Sequence, residues 1–165
     1  MIFMSQSGLT DSSRSDEWAR WYVEHLRIMR TVDGIDSAER FTCDAAGWPP
    51  SLAMYTIRSP AVFDDPYYQK IRGMGSWLPL IDRRYYRRNL FDGAEQAPHV
   101  PPGSVLLVTD RDRDTAASEI PGVSWTWLKS VGLDRSTLYR GIAVATQEAA
   151  GALHANGEFA VYRRS

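Results

Sequence analysis

The chain predicts an α+β fold built from two tandem ferredoxin-like units with antiparallel sheets. Three observations carry this. First, one turn-and-strand order is written twice: Val32-Asp33-Gly34-Ile35 leads into an extended segment ending at Phe41, and Ile120-Pro121-Gly122-Val123 leads into Ser124 to Lys129. Second, each is followed by an apolar strand, Leu52 to Ile57 and Leu138 to Ala145, which then enters a helical stretch near Ser59 and Thr146. Third, each copy closes on a strand rich in Tyr and Arg. The order β-α-β-β-α-β is the split βαβ pattern. Two such sheets packed face to face would enclose a shared cavity, which points to a small-molecule site.

Taken in order, Ile2 to Met4 begin the first strand, and Gly8 to Ser15 is polar and turn-like. Ser13 to Asp16 has capping-box spacing, with Asp in place of Glu. A helix follows from about Asp16 to Arg30. Its Trp18, Trp21, Tyr22, His25, Leu26 and Met29 recur at helical offsets and form one face. Asp33-Gly34 ends that helix and turns the chain into the second strand, Ser37 to Phe41. Prolines in Gly47-Trp48-Pro49-Pro50 keep the next connection out of the ladder. In the third strand both alternating sets are apolar, Ala53, Tyr55 and Ile57 against Leu52, Met54 and Thr56. A strand covered on both faces needs this. Ser59-Pro60 starts a short helix through about Phe63, and Tyr67 to Gly73 forms another turn or two. Gly73-Met74-Gly75-Ser76 is a joint, and Ile81 to Phe91 is the expected fourth strand.

Ala94 to Gly103, with three prolines, reads as the linker, so residues 1–92 form the first unit, 93–103 the connection and 104–165 the second. Val105 to Thr109 is a strand. The charged run Asp110 to Asp114 then stands where the first unit has its long helix, leaving room for a turn from Thr115 to Glu119. The second unit is therefore trimmed, and the chemistry concentrates in the first.

Composition narrows the function. Across 165 residues, 44% hydrophobic and 12% aromatic residues suffice for a real core, and the net charge of −1 excludes a dedicated nucleic-acid binder. Cys43 is the single cysteine, so no intrachain disulfide or thiolate cluster forms, and it reads as a structural thiol. No signal-peptide pattern opens the chain and no run reaches the ~20 apolar residues of a membrane span. A soluble, cytoplasmic protein without membrane or nucleic-acid partners is expected.

Residues 16 to 41 carry a resemblance. Trp21-Tyr22-Val23-Glu24-His25-Leu26, Val32 to Ile35 and Ala38-Glu39-Arg40-Phe41, continued by Pro50 through Pro60, resemble the dimeric α/β-barrel superfamily, and within it relatives of the ethyl tert-butyl ether degradation protein family. The resemblance covers roughly residues 1 to 92; the second unit shares only its element order. It implies an α/β barrel of eight strands, four from each unit, around an apolar pocket, closed within one chain or between chains. Members include isomerases, cyclases, cofactor-free monooxygenases, lyases and haem proteins. Polar work in the cyclases and isomerases falls to a histidine with a tyrosine or acid. Here His25 and Tyr22 occupy that stretch.

The residues point the same way. An imidazole titrating near neutrality can take and return a proton, which makes His25 the candidate acid/base. Tyr22, one turn earlier, and Tyr55 are candidate donors to a developing enolate. Tyr55, Tyr85, Trp77 and Phe41 form an aromatic lining, with Trp77 beside a hinge. In Asp82 to Arg88, a strand would alternate Arg83, Tyr85 and Arg87 with Arg84, Tyr86 and Arg88. Arg40 or Arg83 could then anchor a substrate anion, although pairing with Asp82, Glu39 or Asp92 around the sheet is the better account of the arginines of this run. No metal-ligand spacing joins His25, His99 and His154. The resulting expectation is a cofactor-independent enzyme performing isomerisation, cyclisation, dehydration or decarboxylation on a small cyclic or aromatic oxygenated metabolite. Its catalytic residues would be His25, Tyr22 and Tyr55, and its substrate-binding residues Arg40, Trp77, Arg83 and Tyr85. The rival is a ligand-binding or assembly protein using the same barrel. Open sheet edges and the trimmed second unit also predict a homodimer.

Overall fold

The computed structural model describes residues 1–112, 123–153 and 159–165. Strands β1 (Ile2–Ser7), β2 (Ile35–Thr42), β3 (Ser51–Ile57) and β4 (Arg87–Asp92) come from the first half. The second half supplies β5 (Ser104–Arg111), β6 (Thr126–Leu133), β7 (Tyr139–Thr146) and β8 (Ala160–Arg164). Helices α1 (Ser15–Met29), α2 (Pro66–Ile71) and α3 (Gln147–Leu153) complete the regular elements among the described residues, with short 3-10 segments at Ser12–Arg14, Pro60–Asp64 and Gly75–Leu80.

The strands close into one antiparallel barrel in the order β1-β3-β2-β8-β5-β7-β6-β4. This is the eight-strand α/β barrel that the resemblance implies, and its two four-strand sheets meet edge to edge rather than face to face. β2 hydrogen-bonds β8, β4 hydrogen-bonds β6, and closure is achieved within a single chain. The inward faces then pack as a filled core, which includes Ile2, Met4, Phe41, Leu52, Phe91 and Leu106. An eight-stranded barrel is just wide enough for side chains to fill it. Phe41, expected in a pocket lining, lies in this core, and so does the buried Cys43.

A second core lies outside the barrel, between the first-half sheet and its helices. Ala53, Tyr55 and Ile57 of β3 face it, whereas Leu52 and Met54 face the barrel interior. The two apolar faces of β3 thus have two different destinations. Above them α1 buries Trp18, Tyr22 and Met29. The helix entry differs from the expected capping box. Asp11 accepts the Ser13 backbone N–H at 3.0 Å, and this starts the Ser12–Arg14 segment that runs into α1. At the end of α1, Gly34 adopts φ +87°, and a Cβ there would stand 2.7 Å from Val62 Cγ2. Only glycine makes that turn without strain.

The fourth strand begins six residues later than the alternation predicts. Ile81 makes a single bridge to Leu9, after which Asp82 folds the chain back: its carboxylate accepts the Arg84 N–H at 3.0 Å and pairs with the Arg84 guanidinium at 2.6 Å. This local side-chain turn competes with the ladder and wins. Residues 82 to 86 therefore do not alternate across a sheet, and Arg83 is exposed on the turn.

The connection after β4 crosses one end of the barrel. Val100 is fully buried in the interior core, and the Ala97 N–H donates to Thr56 Oγ1 at 3.0 Å. The expected turn Thr115 to Glu119 and the repeat signature Ile120 to Gly122 lie outside the described residues.

Candidate functional site

The helix–sheet layer of the first half brings together the polar residues that the sequence singled out. Tyr22 and His25 sit one turn apart on α1, and Tyr55 rises beneath them from β3. Together with Tyr68 of α2, Met74 and Arg88 of β4, they line a narrow cavity of about 30 Å³. That volume holds one or two water molecules. His25 stacks on Trp21, with ring centroids 4.7 Å apart and planes 11° apart.

Burial sets the protonation states. It lowers the His25 pKa to about 4, so the imidazole is neutral at physiological pH. It raises the phenols of Tyr22 and Tyr68, and that of Tyr55 strongly, so all three remain hydrogen-bond donors. The Tyr22 hydroxyl is turned toward Ser7 and Ser51, which partly offsets its shift.

Two arginines enter the same layer. Arg40 is buried on β2, donates from Nε to Ser51 Oγ at 2.8 Å and lies over the rings of Trp18 and Tyr22, at 4.7 and 4.6 Å. No carboxylate pairs with it among the described residues. Burial lowers its pKa, and the two aromatic faces supply cation–π attraction in place of a counter-ion. Arg88 reaches Asp134 with Nη2 at 3.4 Å, while its buried Nε has no hydrogen-bond partner among the described residues. An unmade hydrogen bond of that kind costs on the order of 1–3 kcal/mol, which a bound acceptor would recover.

His25, Tyr22 and Tyr55 thus converge, with Arg40 against Tyr22. Trp77 is buried in the same layer beneath the Arg14 guanidinium, 4.6 Å from its ring, but does not line the cavity. Arg83 and Tyr85 lie elsewhere, Tyr85 at the open end of the barrel. Sequence reasoning missed Tyr68 and Arg88. The Pro66 helix start, with Asp65 accepting the Tyr68 N–H at 2.8 Å, fixes Tyr68 inward, and that was a readable signal. Arg88 was hidden by the misplaced start of its strand.

Met74 lines the cavity between Gly73 at φ +91° and Gly75 at φ +50°. Two left-handed glycines thus flank the buried Met at the place where the sequence reads a joint. Haem, which the sequence resemblance implies for some members, does not fit this cavity as it stands. The phenols and Met74 packed around His25 leave water-sized space, too little for a porphyrin. Among the described residues, no group of three His, Cys, Asp or Glu side chains could hold a metal ion. His99 borders the linker end of the barrel, and His154 lies outside the described residues. A wider groove of about 480 Å³ runs beside α3, between Val105 and Val161.

No family model and no curated protein matches the chain. Among solved structures it is similar to the crystal structure of "Putative Chlorite dismutase TA0507", at 9% identity and a TM-score of 0.56, over 99% of this chain and 94% of the other. A likeness at that identity shows the fold alone. The fold is the dimeric α/β barrel, with all eight strands supplied by one chain. No helix among the described residues is long and apolar enough to cross a membrane.

Proposed function

We propose that the helix–sheet layer binds a small oxygenated metabolite and carries out cofactor-independent proton transfer on it, such as isomerisation, cyclisation, dehydration or decarboxylation. The observation behind this is the convergence on one narrow cavity of a neutral, largely buried imidazole, three un-ionised phenols and an arginine Nε without a partner among the described residues. In this reading His25 moves the proton, and Tyr22 and Tyr55 donate to the developing enolate oxygen. Arg88 and Arg40 supply positive potential in a dry site, where such stabilisation is strongest. The substrate, cyclic or aromatic, enters when the Gly73–Trp77 segment swings out, since the narrow cavity is too small for it. Kinship with the ethyl tert-butyl ether degradation protein family belongs to the same reading and rests on the Trp21 to Leu26 stretch.

The test is solvent-deuterium exchange into a cyclic 1,4-diketone, whose α-protons exchange slowly unaided at neutral pH, followed by NMR. The wild-type chain should accelerate it, and His25→Ala should lower the rate by roughly 10²–10⁴-fold while the chain remains folded. Equal rates for both proteins would overturn the reading. One observation favours a second reading, ligand binding without turnover: an imidazole with a pKa near 4 is a weak base at neutral pH. Binding of the diketone without exchange would support that alternative. Self-association as a homodimer in the cytoplasm completes the proposal. Barrel closure removes the sheet edges from its grounds and leaves the exposed Val131, Leu133 and Leu138.

A further inference from the structure

The barrel has one end crossed by the linker and one end open, and the open end has the makings of a second binding site. There the strand register sets Gln6 of β1 beside Arg87 of β4, and Asp110 of β5 beside Arg140 of β7. Gln6, Asp110 and Thr137 form the floor, held from below by the fully buried Arg140. Both Asp110 carboxylate oxygens accept from it, at 2.7 and 2.8 Å, and Gln6 Oε1 accepts at 3.0 Å. The floor is therefore charge-balanced and rigidly bonded.

Above it is a cleft of about 280 Å³ with Trp48 and Tyr85 in its walls. Both walls are braced. The fully buried Tyr162 donates its hydroxyl to the Pro49 carbonyl at 2.8 Å, pinning the Trp48 loop to the barrel core. Tyr85 rests against Gly8, where a Cβ would come within 3.0 Å of its ring. Of the rim arginines, Arg84 is committed to Asp82. Arg87 is exposed and has no ion pair or side-chain hydrogen bond among the described residues.

We infer that this cleft binds a planar hydroxy-aromatic monocarboxylate. One uncommitted guanidinium matches one carboxylate, in bidentate geometry. A phosphate-rich ligand would call for more free cations than the single one among the described residues of the lining. The two aromatic side chains suit a flat ring. Asp110, whose oxygens keep free lone pairs after pairing with Arg140, accepts a hydroxyl from the far end of the ligand. The volume lies at the small end of ligand pockets and suits about ten non-hydrogen atoms. This site is separate from the helix–sheet cavity: Gln6 faces inward, whereas its neighbour Ser5 lines the cavity on the other side of the sheet.

The experiment is a titration of the full chain with 4-hydroxybenzoate, read by amide chemical shifts. Saturable shifts at Trp48, Tyr85, Arg87 and Thr137 are expected, with Kd below about 1 mM. Arg87→Gln should weaken binding roughly tenfold or more, and replacing the probe by 4-hydroxybenzyl alcohol should do the same, because each removes the charged pair. Trp48→Ala should weaken it comparably. Arg87 is on the surface, so its variant folds, and the dispersion of the same spectra checks this. Shifts centred on α1, equal affinity for the alcohol, or no saturation up to about 10 mM would overturn the assignment.

Discussion

His25 couples the site to stability through its protonation. In the unfolded chain an imidazole titrates near 6.5, and in the folded one burial holds it to about 4. The unfolded state therefore binds a proton first as pH falls. The His25 contribution to stability is fully present above about 6.5, is lost as pH falls through this window, and is gone below about 4. Its upper bound is about 3 kcal/mol, since each tenfold loss of proton affinity on folding corresponds to about 1.4 kcal/mol. Urea unfolding at closely spaced pH values should show this slope, and His25→Gln should flatten it. A slope unchanged in the variant would mean that other groups set it. The residue identities around His25 were partly legible: helical spacing alone placed Tyr22 and His25 together, whereas strand alternation found both faces of β3 apolar and did not say which of them, and so Tyr55 or its neighbours, would meet α1. Arg88 and Tyr68 join from distant segments, and no local periodicity reports such a meeting.

Among elements, the turn after β4 is where sequence and backbone are most tightly bound. Gly93 has φ +112°, and a Cβ there would meet the Trp127 carbonyl oxygen at 2.5 Å. Gly103, at the start of β5, has φ +80° with open space around it. Gly93→Ala should therefore cost roughly 2 kcal/mol or more, from strain and a backbone collision together. Gly103→Ala should cost about 1 kcal/mol from strain alone. Chemical denaturation of the two variants separates them, and equal losses would show that the β4–β6 pairing yields to the added methyl. Element order was readable because periods of 2 and 3.6 are local properties. The start of β4 was not, since the Asp82 turn is made by one side chain capturing nearby N–H groups, and alternation is blind to that. The same holds for Asp11 at the entry to α1.

At the level of the whole molecule, the resemblance implied an eight-strand barrel, but local periodicity could not say whether it closes within one chain. Which edge meets which is decided by pairings such as Phe41 with Arg164 and Phe91 with Ser130, far apart along the chain. The homodimer proposal is affected directly. With no edge to extend, association depends on outward side chains, so Val131→Glu together with Leu133→Glu should convert a dimer to a monomer in sedimentation velocity. A wild-type monomer at micromolar concentration would remove the proposal.

The joints of the ring are unequal. β8 meets β2 through Phe41–Arg164 and Thr42–Arg163, whereas β5 and β7 are in register along their whole length from Ser104–Thr146 to Arg111–Tyr139. A closed hoop under thermal stress parts at its shortest overlap, so transient opening should begin with the last strand peeling from β2. That strand carries Tyr162, whose hydroxyl tethers the loop bearing Trp48. The same fluctuation that uncoils the ring would slacken the wall of the open mouth. Native-state hydrogen exchange should find the β2–β8 amides opening well below the free energy of the β5–β7 pair, and a ligand seated at the mouth should slow them.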